Sequence, residues 1–243
     1  MKFIGLLMVA HENDVLREIL TVSTEHLDAF YVLDGTVPND ESRRICESFD
    51  NCAGYMTDAM LDQRFGEKPV CGWRQAIYEM AVEVHGFDNW FVLLHGDEML
   101  MFDPHALPAR YPGADGFVCR LPFYFPREGE PWDDRPPLEQ LHWRLGPGYP
   151  EFRMFKGGEH VAYAPEQRYN TQPSGLESVV TTADEIRHYL YRGPDEQLAR
   201  AQRHVVTEFD LDNYRHVLAG AVYWTDSMIA QFRSTQFYPE LTG

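Results

Sequence analysis

A chain of 243 residues with a formal net charge of −17 has few basic residues for phosphate contacts, which argues against broad binding to nucleic acid or an anionic membrane. Apolar residues make up 44% and aromatic residues 14%, which excludes a disordered chain and leaves ample core for one large or two small domains. The four cysteines, Cys46, Cys52, Cys71 and Cys119, form no CxxC pair and no disulfide-dense frame, so inert, reduced thiols in a cytoplasmic setting are expected.

The first apolar run, 3–10, reads as a buried strand; it is too short to span a bilayer and lacks a signal-peptide cleavage pattern. Asn13 or Asp14 is placed to cap a helix running to Leu20. A second strand, 29–33, ends in Asp34-Gly35-Thr36, and a polar turn over 38–40 leads to a helix over 41–49. Alternating strands and helices with short connections predict a parallel sheet with right-handed crossovers. Residues 74–84 carry Ala76, Ile77, Met80, Ala81 and Val84 at helical spacing, and Gly86 is suited to end that helix at positive φ. An unbroken apolar strand, 90–94, then gives way to His95, Gly96, Asp97 and Glu98. A buried strand tipped by acidic residues is where open α/β sheets bind ligands.

After Met101 the texture changes. A strand is expected over 117–125, followed by an ordered, Pro-, Gly- and Trp-rich loop over 129–150. Trp132 and Trp143 in that loop suit either sugar stacking or core packing. Short antiparallel strands are expected at 152–155 and 160–163, and helices at 196–206 and 211–232. The aromatic face of the last helix suits core packing or a homodimer contact.

The order of these pieces resembles the nucleotide-sugar-dependent glycosyltransferases of family 2. LLMVAHENDVLREIL is similar to that family's opening strand, turn and helix, and VLDGTVPNDES to its second strand and nucleotide-holding turn. The Arg74 helix with NWFVLLHGDE is similar to the family's Arg-bearing helix and the strand ending in Asp-x-Asp-Glu. PEFRMFKGGEHVAY and IRHYLYRGPDEQLAR are similar to its two late motifs. The resemblance implies a GT-A fold, a Rossmann-like mixed α/β sheet sandwiched by helices with a helical C-terminal tail. It also implies one domain over 1–243: a nucleotide-binding half (1–101), an acceptor-side half (102–193) and C-terminal helices (194–243).

The implied activity is inverting, hexosyltransferase-like transfer from a nucleoside diphosphate sugar to an acceptor hydroxyl. Negative charge grows on the departing diphosphate, and Mn²⁺ or Mg²⁺ neutralises it. The resemblance makes Asp97 the metal ligand and His188 a second; His95 stands where the family's first motif carboxylate usually sits. Asp34 corresponds to the carboxylate that meets the nucleoside, Arg74 to the arginine near the nucleotide, and Arg192 is placed to reach the diphosphate. A base must deprotonate the acceptor. Asp133, Asp134, Glu159 and Glu166 lie in the acceptor-side half, and Asp134 and Glu159 are the chosen pair, while Glu98 is expected to support the metal motif. Two rival readings are a nucleotidyltransferase, which would want a Gly-rich basic loop after the first strand, and a non-catalytic nucleotide-sugar binder.

Overall fold

The structure is a computed structural model, and it describes residues 1–35, 40–57, 59–60, 72–130, 132–163, 172–190 and 192–204, with 217, 223, 225 and 227. Strands β1 (Phe3–Val9), β2 (Ala29–Asp34) and β4 (Trp90–His95) are buried at all but one position each or at every position. That is why they read as unbroken apolar runs rather than alternating ones: parallel strands covered on both faces have no solvent side. β1 pairs in parallel with β2 and with β4, and β2 in parallel with β3 (Cys52–Thr57). The other strands are β5 (Glu98–Leu100), β6 (Gly116–Phe125), β7 (Trp143–Lys156) and β8 (Val179–His188). The eight-stranded sheet has the order β3-β2-β1-β4-β7-β6-β8-β5, and β7 joins β4 antiparallel. The fold is therefore a mixed α/β sheet with a Rossmann-like parallel half.

Helices α1 (Asn13–Ser23), α2 (Asp40–Cys46) and α3 (Gly72–His85) belong to this parallel half, α3 lying against β1 and β2. Gly86 ends α3 at φ 75, its N–H donating to the Val82 carbonyl at 2.7 Å, as expected of a left-handed cap. On the face under α3, Tyr78 meets Phe91 edge-on at 4.8 Å, and Phe91 stacks on Phe155 at 5.4 Å. Each such side chain contributes about 1.5–3 kcal/mol of burial. Gly157 follows β7 where no side chain fits: a Cβ there would lie 2.4 Å from the Phe87 carbonyl oxygen. Further helices are the short α4 (Ala106–Arg110) and α5 (Pro137–Gln140) and a longer α6 (Pro194–His204). The chain divides into two compact units, Met1–Leu121 with Pro150–Ile186, and Pro122–Tyr149 with Arg187–Gly243. No helix among the described residues is long and apolar enough to cross a membrane.

Several expectations change. Glu12, not Asn13 or Asp14, is the residue at the N-cap of α1, and it makes no side-chain cap bond. The end of the expected loop, 143–150, is part of the long strand β7. Residues 160–163 form only an isolated bridge, Ala162 to Ser174. The helix expected over 211–232 falls almost wholly outside the described residues, as do Thr36, Cys71 and Glu166.

The described cysteines, Cys46, Cys52 and Cys119, are all free thiols. Burial pushes the Cys119 thiol up to about 12, against the ordinary value of about 8.5, and raises Cys46 as well. Because the folded values lie above the unfolded ones, the neutral thiols contribute stability fully below pH ~8.5, and that contribution is lost as pH rises toward 12. Urea midpoints should therefore fall between about pH 8.5 and about pH 11, with Cys46 and Cys119 unreactive to a thiol reagent until unfolding. Constant midpoints, or fast labelling of both thiols in the folded protein, would contradict this.

Candidate active site

The parallel strands deliver their polar ends to one edge. Along the register, Met8 is level with His95, Val9 with Asp34, and Asp34 with Thr57. From β1 the sheet continues to β2 on one side and to β4 on the other, so the carboxyl ends of β1 and β4 flank a topological switch point. A crevice for ligand opens outside the strands at such a point. Backbone bonds hold its rim: the Gly35 N–H donates to the Val9 carbonyl at 2.9 Å, and the Gly96 N–H to the Met8 carbonyl at 2.8 Å.

At the tip of β4, donor atoms of His95, Asp97 and Glu98 lie within 4.8 Å of one another. Asp97 is 1% exposed and Glu98 fully buried. Glu98 is held by several partners. One oxygen lies 2.6 Å from Arg153 Nη2 and 3.2 Å from His95 Nδ1, while the other accepts the His95 backbone N–H at 2.9 Å. Arg153, on β7 and 1% exposed, also reaches Glu151 at 3.1 Å. Glu98 thus orients His95 as a carboxylate commonly orients a metal-binding imidazole, leaving Nε2 as the atom suited to a metal. One imidazole nitrogen and the Asp97 carboxylate form a donor pair that fits Mn²⁺, and fits Mg²⁺ less well because that ion favours oxygen.

Arg74 lies in the first turn of α3 and is half-buried. Burial pulls its guanidinium below the ordinary value; Tyr163 opposes that shift, Arg153 reinforces it, and Glu151 and Glu98 oppose it. Its Nε finds no hydrogen-bond partner among the described residues. Next to it in sequence, Trp73 is 40% exposed yet covers Gly35: a Cβ on that glycine would lie 3.0 Å from indole Cη2. Asp34, at the end of β2, is 1% exposed and accepts a hydrogen bond from the Tyr55 hydroxyl. Burial first, then that bond, raises the Tyr55 phenol and keeps it a donor.

Between β1 and α1 the chain turns on His11, a non-glycine residue at φ 68. Glu12 is 4% exposed and its carboxylate accepts the Ala10 N–H. It packs on Gly96, where a Cβ would fall 2.8 Å from Glu12 Oε2. A carboxylate folded into this turn is the opposite of a phosphate-cradling loop.

The structure thus gathers His95, Asp97 and Glu98 into one cluster, and Asp34 stands on the same strand edge. Glu159 is exposed in the turn after β7, in the first unit. The second unit holds His188, Arg192 and Asp134. His188 is 7% exposed and its ring lies 5.1 Å from that of Phe123. Arg192, 1% exposed, reaches Glu196 at 3.2 Å, and its carbonyl accepts from Gln197. Asp134 is exposed beside Asp133, whose carboxyl is held below its usual range by Arg135. Sequence reading singles out none of Glu12, Tyr55, Trp73 or Arg153. The available signal was a charged residue, Arg153, between the buried residues Phe152 and Met154 of a strand, where charge is kept only if paired.

No protein-family model matches the sequence, and no curated protein matches it. Solved structures with a similar chain path include HddC from Yersinia pseudotuberculosis, at 8% identity and a TM-score of 0.43 over 77% of this chain and 93% of that one. Another is the 4-diphosphocytidyl-2C-methyl-D-erythritol synthase of Anaerococcus prevotii DSM 20548, at 10% identity and a TM-score of 0.36, covering 74% and 89%. A third is the apo WbbM bifunctional glycosyltransferase, at 12% identity and a TM-score of 0.30, covering 50% of this chain and 23% of that chain. Likenesses of this size assign neither family nor activity.

Proposed function

We propose that the chain is a GT-A glycosyltransferase of the family 2 type, moving a hexose-like sugar from a nucleoside diphosphate donor to an acceptor hydroxyl with inversion. The observation that carries this reading is the shared edge at the switch point. It brings Asp34, at the end of β2, and the His95–Asp97 segment, at the end of β4, to the same sheet edge on either side of β1. Asp34 accepts hydrogen bonds from the base or ribose, and Trp73, above Gly35, offers an aromatic face at the same end. Asp97 and His95 hold Mn²⁺ or Mg²⁺, whose charge offsets that of the departing diphosphate. Arg74 supplies positive charge for the nucleotide, Arg192 is assigned to the diphosphate and His188 to the metal. The carboxylates offered to the acceptor proton are Asp134 and Glu159. The carboxylate in the β1–α1 turn disfavours the nucleotidyltransferase alternative, which needs donors there.

The test is a thermal-shift panel of UDP-, GDP-, dTDP- and CDP-sugars and the free nucleoside triphosphates, each with Mn²⁺, Mg²⁺ or EDTA. A ligand that binds only the folded state raises the melting temperature by mass action, equivalent to about 2.7 kcal/mol at a hundredfold excess over Kd. One nucleotide series should shift the melt, and only with metal. Shifts with free nucleoside triphosphates but with no nucleoside diphosphate sugar would reject the reading in favour of nucleotidyl transfer, and a metal-independent shift would remove Asp97 and His95 from their roles.

A further inference from the structure

Between β6 and β7, within the second unit, lies a pocket of about 220 Å³ lined by Arg127, Glu130, Trp132, Arg135, Gln140 and His142. The aromatic member of its lining is Trp132. A Cβ on Gly193 would lie 2.7 Å from indole Cε2 and 2.8 Å from both Cζ2 and Nε1. The Gly193 backbone therefore packs against the indole around Cε2, and the same Trp132 lines the pocket.

The walls are fixed by their own bonds. Glu130 accepts from Trp143 Nε1 at 2.5 Å and its other oxygen lies 3.1 Å from His142 Nε2. The Arg127 guanidinium lies 4.2 Å from the Trp143 ring centre. Gln140 accepts the Asp133 N–H at 2.9 Å and donates to the Arg135 carbonyl at 2.6 Å. Arg135 in turn is paired with Asp133 at 2.9 Å. These side chains are therefore held in place before any ligand arrives, which lowers the cost of binding.

We propose that this pocket binds one uncharged pyranose ring, stacked on Trp132. A backed aromatic face takes the C–H side of a sugar, and planar carboxylate, guanidinium and amide groups around it match hydroxyls two at a time. Asp133 pairs with Arg135, and the lining carries the Glu130 carboxylate as well as the Arg127 guanidinium, so the formal charges balance and favour no anionic ligand. The volume is below the ~300–1,000 Å³ of drug-sized sites and suits a single ring rather than a chain. All of the lining residues belong to the second unit, so sugar binding here does not depend on transfer at the β4 tip.

The test is saturation-transfer NMR on the full chain with methyl β-D-glucoside, galactoside and mannoside, in the absence of nucleotide and metal. One or more should receive saturation strongest at the ring protons of a single face. Binding should weaken about tenfold or more in Trp132→Ala. Glu130→Gln guards against a folding defect: it should weaken binding while the melting temperature stays close to that of the parent. No saturation from any neutral pyranoside at tens of millimolar would overturn the proposal. So would unchanged saturation in both variants, or stronger competition by uridine than by the glycosides.

Discussion

Asp97→Asn should abolish metal-dependent nucleotide binding and leave a folded protein. The side chain is 1% exposed at the tip of β4, so the amide keeps its shape while losing its charge. Even residues that merely support a metal site cost about 10–100-fold in affinity or activity when altered, and a direct ligand should cost at least as much. The comparison is the Mn²⁺-dependent thermal shift of the parent and the variant with the preferred nucleoside diphosphate sugar, followed by turnover. Wild-type metal response in Asp97→Asn would sink the assignment. His95→Ala should behave similarly with a smaller loss, since one imidazole would leave the carboxylate in place.

The second large effect is on stability. Arg153 and Glu98 are 1% and 0% exposed and 2.6 Å apart. Removing one member of a buried pair leaves the other charge without compensation, which typically costs about 3–5 kcal/mol. Arg153→Met should therefore destabilise the protein by that order in urea. The double variant Arg153→Met with Glu98→Gln should recover part of the loss, because no carboxylate is then stranded. A loss below about 1 kcal/mol in the single variant, or no coupling in the double-mutant cycle, would show that other groups carry the charge. Since Glu98 orients His95, the single variant should also weaken the metal response through a misdirected imidazole.

The parallel half was legible because its physics is local. Unbroken apolar runs at β1, β2 and β4, helical spacing in α3 and the Gly86 stop each carry their own signal, and the sheet edge then follows from topology. Asp34 and Asp97 could be singled out because polarity changes abruptly at a strand end. β8 escaped notice because VVTTADEIRH is mostly polar, with only Thr182, Ile186 and His188 buried. β5 is three residues long, and β3 is only partly buried, so neither has a periodic signature. The Arg153–Glu98 pair joins positions 55 apart in the chain, and no window of sequence reports such a partner. Glu12 and Trp73 were passed over for the same reason: their roles depend on glycines, Gly96 and Gly35, brought to them by folding.

The short strand after the acidic tip has a consequence for synthesis. β5 borders β8, and the Met101 N–H donates to the Glu185 carbonyl. Loop-closure entropy must be met before so distant a contact forms. On a ribosome, β1 to β4 can pair as they emerge, whereas the pairing of β5 with β8 waits for residue 185. The nascent chain thus holds a ready parallel sheet before the short strand that follows Asp97 gains its β8 neighbour.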